Sequence, residues 1–205
     1  MRRRVLLGDG MDKTVLLRNF NAASGQTFTK STGFIAQADS VLTLFMDFTF
    51  TGNQGDGSTS ATNNILCVGI DPQELNDTCC RLYTGNGITA TKKVLVVGFD
   101  NAGQRYIYTN DSLIRRNKAV LRIHYNTGTC DLWLNGQLLA QSFGAFGTGG
   151  QAACLGAVSI SNAEGNNRFY GTYHEVKILP DTLQDEQLRA LTENPPRKPL
   201  ALAMG

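Results

Sequence analysis

The sequence predicts an all-β protein whose antiparallel strands pack as a sandwich or jelly roll, closed by one short C-terminal helix. Three observations carry that expectation. Short runs of β-branched, aromatic and aliphatic residues recur from residue 1 to about 179, punctuated by Gly, Asn, Asp and Ser. In the 118–125 and 131–135 runs apolar and polar residues alternate, the pattern of half-buried antiparallel strands. Only one stretch, near the C-terminus, reads convincingly with helical spacing.

Taken in order, strands are expected near 3–7, 13–17, 41–51, 64–70, 94–99, 104–109, 118–125, 129–134, 137–142, 154–160 and 168–179. The turns between them include Asp9-Gly10, Thr51-Gly52-Asn53, Asn101-Ala102-Gly103, Asn126-Thr127-Gly128 and Asn135-Gly136. Asn135-Gly136 is the strongest hairpin signal, because a type I′ turn needs positive φ at both central residues. It joins 131–134 to 137–140, so 118–142 should form a three-stranded meander. Within it, Leu121, Ile123 and Tyr125 face one way, and Val120, Arg122 and His124 the other; Leu132 and Leu134 oppose Asp131 and Trp133. The stretch 51–64, rich in Gly, Ser, Thr and Asn, reads as a long exposed loop. The helix is expected over 181–191, with Leu183, Leu188 and Leu191 on one face. Asp185 and Glu186 in its first turn complement the helix dipole, and Asn194-Pro195-Pro196 stops it. One domain is therefore expected over 1–192. The apolar tail 193–205 is expected to dock on a partner, since free termini fray unless tied down.

Composition narrows the function classes. The chain has 205 residues, 41% hydrophobic and 18% charged, with 22 glycines. That excludes a highly charged disordered chain, and the length suffices for a core without staples. The formal net charge is +2, which gives no bulk attraction to nucleic acid. No apolar run reaches the ~18 residues of a membrane span. The three arginines after Met1 precede an apolar stretch of three residues, short of the ~7 that an export signal needs, so no signal peptide is expected. Cys67, Cys79, Cys80, Cys130 and Cys154 show no CxxC spacing and are expected to be reduced thiols.

Four blocks of residues resemble a known family. The stretch 118–139, carrying Tyr125-Asn126-Thr127-Gly128 and Leu132-Trp133-Leu134-Asn135-Gly136, is similar to the hairpin of laminin-G (LamG) and concanavalin A-like domains. Leu155-Gly156, followed by Arg168-Phe169-Tyr170-Gly171-Thr172-Tyr173-His174-Glu175-Val176, resembles the next block of that family. Leu183-Gln184-Asp185-Glu186-Gln187-Leu188 looks like its closing helix, and Leu7-Gly8-Asp9-Gly10 with Val15-Leu16-Leu17 like its opening strand pair. The blocks stand in the family's order over residues 5–192. The resemblance implies a two-sheet antiparallel jelly-roll sandwich, about six or seven strands to a sheet, with one concave face. Two departures stand out. Arg115-Arg116-Asn117-Lys118 occupy a region where the family often has Trp, and its acidic pair is reduced to His174-Glu175. The family includes sugar binders, adhesion modules, glucanases and virion decorations, so the fold alone names no activity.

The residues say little for catalysis. Retaining glycosidases need two carboxyls about 5 Å apart. Of the five glutamates, Glu74, Glu164, Glu175, Glu186 and Glu193, none has an acidic neighbour at strand spacing. His124 and His174 lie on expected strands, and no nucleophile elbow precedes a helix. The protein is therefore expected not to be an enzyme. Calcium would be served by loop oxygens such as Asp71, Asp77, Asp100, Asn101 and Asp111, but turn formation explains these residues, and no metal ligand or cofactor is assigned. Sugar recognition needs an aromatic platform with amides or carboxylates beside it. Trp133, Asn135, Tyr106 and Tyr173 are the candidates for it. The basic segment lacks interleaved aromatics, so Arg115 and Arg116 suit an acidic protein partner better than nucleic acid, and Pro195, Pro196, Leu200 and Leu202 are candidate partner contacts in the tail.

These readings lead to a non-catalytic structural or decorating protein of a phage particle, exposed on the virion surface after synthesis in the host cytoplasm. It would be a homo-oligomer docked on capsid or fibre proteins, with a cell-surface glycan as a further partner and neither membrane nor nucleic acid. The alternative is an extracellular carbohydrate-binding or adhesion module, with a glycoside hydrolase third.

Overall fold

A computed structural model describes residues 14–51, 63–72, 78–84, 93–98, 105–109, 115–144, 154–164 and 167–194. Its elements are β1 (Val15–Asn21), β2 (Thr29–Ala36), β3 (Val41–Phe50), β4 (Asn63–Gly69), β5 (Thr78–Thr84), β6 (Lys93–Gly98) and β7 (Arg105–Thr109). There follow β8 (Arg116–His124), β9 (Thr129–Leu134), β10 (Gln137–Gly144), β11 (Gly156–Ser161), β12 (Ala163–Glu164), β13 (Asn167–Arg168), β14 (Gly171–Leu179) and α1 (Asp185–Thr192). The first sheet has the order β1-β14-β3-β8-β9-β10 and the second β2-β11-β4-β5-β6-β7, antiparallel throughout; β12 and β13 form a small separate ladder. This is the two-sheet jelly-roll sandwich that the sequence predicts.

Alternation explains the central strands. Leu42, Leu44, Met46, Phe48 and Phe50 of β3 are at most 1% exposed and point into the space between the sheets. They meet Ala119, Leu121 and Ile123 of β8, Leu132 and Leu134 of β9, and Val158 and Ile160 of β11. Each buried Leu, Ile or Phe contributes about 1.5–3 kcal/mol through removal from water. Phe169 adds tilted or edge-on ring contacts with Phe48, Phe50 and Tyr173, at centroid distances of 5.9, 5.7 and 4.5 Å.

The outer face of the first sheet supports a second, smaller core. Phe45, Val120, Trp133 and Leu179 pack there against Leu183, Leu188 and Leu191, the face expected for the helix. The helix begins at Asp185 rather than 181, because 181–182 form a turn after Pro180. Gln187 Oε1 accepts the Gln184 backbone N–H at 2.9 Å, so the N-terminus is closed one turn later than the sequence suggested.

The meander β8-β9-β10 forms as expected. Asn135 and Gly136 take φ of 50° and 84°, and Gln137 pairs with Leu134 across a two-residue turn. Two strands of the main sheets escaped the sequence reading, as did the short β12. In β2 the first three residues are polar and exposed, and Gly33 at φ 69° breaks the alternation. In β5, with Arg81 at its centre, residues of both parities are buried, so no polar face betrays the period. The expected strand 168–179 is divided, with β14 starting at Gly171; the expected 13–17 strand is β1, shifted toward Phe20 by its pairing with β14. The expected strand 3–7, the turns Asp9-Gly10 and Asn101-Ala102-Gly103, residues 52–62 of the expected loop and the tail 195–205 lie outside the described residues. Among the described residues, no helix is long and apolar enough to cross a membrane.

Candidate ligand-binding face

Side chains with useful chemistry gather on the two faces that point away from the main core. On the first sheet they are locked into structure. Arg122 donates to the Leu183 carbonyl at 2.6 Å and to Asp185 at 2.9 Å, and stacks on Trp133 at 5.1 Å. His124 bonds Asp131 at 2.8 Å, and Asp131 also accepts the Ser142 N–H at 2.8 Å. Across β3 and β8, Asp47 holds Arg116 through two 2.8 Å bonds, and that carboxylate pushes the Arg116 pKa up. His174 bonds Thr49 at 2.8 Å; Glu175 holds both Arg18 and Lys177.

This geometry corrects several sequence-based candidates. Trp133 is 2% exposed between the sheet and α1, so neither of its faces is open to a sugar. Tyr173 is fully buried, and its hydroxyl donates to the Ile65 carbonyl, fastening one sheet to the other. Asn135 spends its amide on the hairpin: Oδ1 accepts from Lys118 N and Asn194 Nδ2, and Nδ2 donates to Asn117. Arg116 is bonded to Asp47 with its side chain 58% exposed. Arg115 lies just before β8, half-buried, its carbonyl accepting from Phe50 N and Asn117 Nδ2. Tyr106 stands in β7 opposite Val96, and Val96 stands opposite Tyr83. Pro195, Pro196, Leu200 and Leu202 lie outside the described residues, as do Asp77, Asp100, Asn101 and Asp111. Asp71 is exposed just beyond β4.

The outer face of the second sheet has a different character. Val68, Cys80 and Ile160 face the core, and strand alternation turns Cys67, Arg81 and Ser161 outward. Register confirms the grouping: Cys67 stands opposite both Arg81 and Ser161. The Arg81 guanidinium lies 5.0 Å above the Tyr83 ring, a cation–π distance, and Tyr83 stands opposite Asn64. These residues are buried, Arg81 at 8% exposure and Tyr83 at 3%. Burial pushes the Cys67 thiol up to about 12, and the Arg81 charge offsets this only in part. Toward β2 the same face becomes exposed, with Ile35 at 66%, and Ile70, in the bend beyond β4, is 42% exposed. Arg81 and Tyr83 were not singled out from the sequence. Their signal was Cys80-Arg81-Leu82-Tyr83, where apolar residues alternate with Arg and Tyr, but with residues of both parities buried no exposed polar face marks the strand. Among the described residues no group of three or more His, Cys, Asp or Glu could hold a metal ion.

No protein-family model matches the sequence, and no curated protein matches it. Solved structures do. A native heptameric SAP-like pentraxin from Limulus polyphemus superposes with a TM-score of 0.57 at 10% identity, covering 86% of this chain and 79% of that one. The CBM40 domain of the Ruminococcus gnavus IT-sialidase, bound to α2,3-sialyllactose, gives 0.50 at 16% identity over 90% of this chain and 98% of that one. A Trypanosoma rangeli sialidase gives 0.54 at 17% identity, with this chain spanning 26% of its length. The chain has a lectin-like jelly-roll fold. At these identities the likeness concerns the fold.

Proposed function

We propose that this protein is a non-catalytic glycan-recognition module whose ligand engages the outer face of the second sheet. The observation that carries this reading is the lectin-like jelly-roll fold; the Arg81–Tyr83 pair, on the sheet face directed away from the main core but only 8% and 3% exposed, would meet a ligand at its exposed edge alone. Guanidinium and amide groups donate to sugar oxygens, and an aromatic ring packs the apolar face of a pyranose. Asn64 on β4 and the β7 position of Tyr106 stand in register with Tyr83 and extend the same neighbourhood to two further strands. Supporting it from outside are the structural neighbours: one is described as a CBM40 bound to sialyllactose, and another as a pentraxin. An assembly role on a virus particle has less behind it. What weighs toward glycan recognition is that a neighbour is described as bound to sialyllactose.

The test is a glycan array carrying neutral and acidic sugars, run on the folded protein beside Arg81→Lys and Trp133→Phe. Binding should fall roughly 10- to 100-fold in Arg81→Lys, the scale of a charge-assisted hydrogen bond, and persist in Trp133→Phe. A folded wild-type protein that retains no glycan, or equal binding by Arg81→Lys, would overturn the reading.

A further inference from the structure

The Asn135-Gly136 turn bears a chemical liability of its own. When Asn precedes Gly, the glycine backbone nitrogen meets little steric resistance in attacking the asparagine side-chain carbonyl, because the residue has no Cβ. In this fold each atom needed for that attack is held elsewhere. The Gly136 N–H donates to Thr192 Oγ1 at 3.1 Å, and Thr192 belongs to the last turn of α1. The Asn135 amide is fixed from three directions, by Lys118 N at 3.0 Å, Asn117 Oδ1 at 3.0 Å and Asn194 Nδ2 at 2.9 Å. Arg189 Nε donates to the Gly136 carbonyl at 3.0 Å, and a Cβ on Gly136 would lie 3.0 Å from Glu193 Cγ. The end of the helix thus sits directly on the turn.

We propose that Asn135-Gly136 is a latent deamidation site kept closed by the docked end of α1, so that release of the helix exposes the turn to modification and the modification then prevents redocking. In the released state the Gly136 nitrogen bonds to Asn135 Cγ, and its proton passes through solvent to Nδ2. The Cγ–Nδ2 bond breaks, and ammonia leaves. Water then opens the succinimide at either carbonyl, yielding aspartate or isoaspartate. Either product removes the Nδ2 donor that Asn117 Oδ1 accepts, and an aspartate would set a carboxylate against that buried oxygen. Isoaspartate also lengthens the backbone inside a two-residue turn whose register depends on its length. The change is irreversible, so it marks a molecule whose helix end has been released long enough for the attack to occur.

The experiment follows residue 135 by peptide mapping with isoaspartate detection during incubation at mildly alkaline pH. The samples are the full-length protein, the same protein unfolded in urea, and two folded variants, Thr192→Val and Asn194→Ala. Each variant removes one hydrogen bond of the clasp, so each should deamidate at residue 135 roughly 2- to 10-fold faster than wild type and more slowly than the unfolded chain. Adding Gly136→Ala to Asn194→Ala should suppress the product. Equal rates in folded and unfolded wild type would overturn the proposal. So would variants that fold and show wild-type rates.

Discussion

Gly171 shows how much one residue can decide. It opens β14 at φ 156°, and a Cβ there would collide with the Thr49 carbonyl oxygen of β3 and lie 2.8 Å from the Phe169 ring. A carbonyl inside a sheet ladder cannot turn aside as a flexible side chain does. Gly171→Ala should therefore cost about 3 kcal/mol. Gly33 is the fitting control, since its φ is also positive, at 69°, but a Cβ there meets open space, so Gly33→Ala should cost about 1–2 kcal/mol. Urea midpoints of the two variants decide the matter, and the reverse order would contradict it. The sequence contained both glycines without distinguishing them, because the difference lies in what approaches from another strand. Trp133 teaches the same lesson. Its alternation with Leu132 and Leu134 was readable, whereas the helix lying over it was not.

Elements differ in how plainly they announce themselves. The strands β3, β8 and β9 were readable because one face is apolar and the other carries polar side chains. The strands β2 and β5 were not. The first is an edge strand whose exposed residues give no core signal, and the second is buried over residues of both parities. Missing β5 meant missing Arg81 and Tyr83, so the proposed site was the least legible part of the molecule. The helix was legible as an element but not as a lid on Trp133. Leu188, fully buried, is the centre of that contact. Leu188→Ala should destabilise the protein by about 2–5 kcal/mol. Because Trp133 is the sole tryptophan, its emission should shift to the red in the same variant while far-ultraviolet dichroism keeps its β signature. Unshifted emission would mean that α1 is not what shields the indole.

At the scale of the whole molecule, burial holds two weak acids in their protonated forms, Tyr173 between the sheets and Cys67 on the outward face of the second sheet. Burial raises the Cys67 thiol from its ordinary 9.0 to about 12 and the Tyr173 phenol well above 10.0. A raised folded-state pKa means the native state binds the proton more tightly, so the stability it contributes is complete below the unfolded value and is lost as pH rises toward the folded one. For Cys67 that window runs from about 9 to about 12. Across it, each pH unit should move the folding equilibrium by about tenfold on account of this thiol alone. Cys67→Ala should flatten the alkaline decline in denaturant midpoint by that amount, and an unchanged slope would show that the thiol ionises within the native fold. The sequence by itself determined the β class, the meander with its Asn-Gly turn, and the apolar face of the helix, because those rest on alternation, turn chemistry and spacing along neighbouring residues. Tertiary structure alone decided that residues from the two ends of the described chain pair in β1 and β14, that Trp133 and Tyr173 are interior, and that Arg81 lies over Tyr83 on an outward face. Those outcomes depend on contacts between segments far apart in the chain, where the identity of a residue does not reveal what will pack against it.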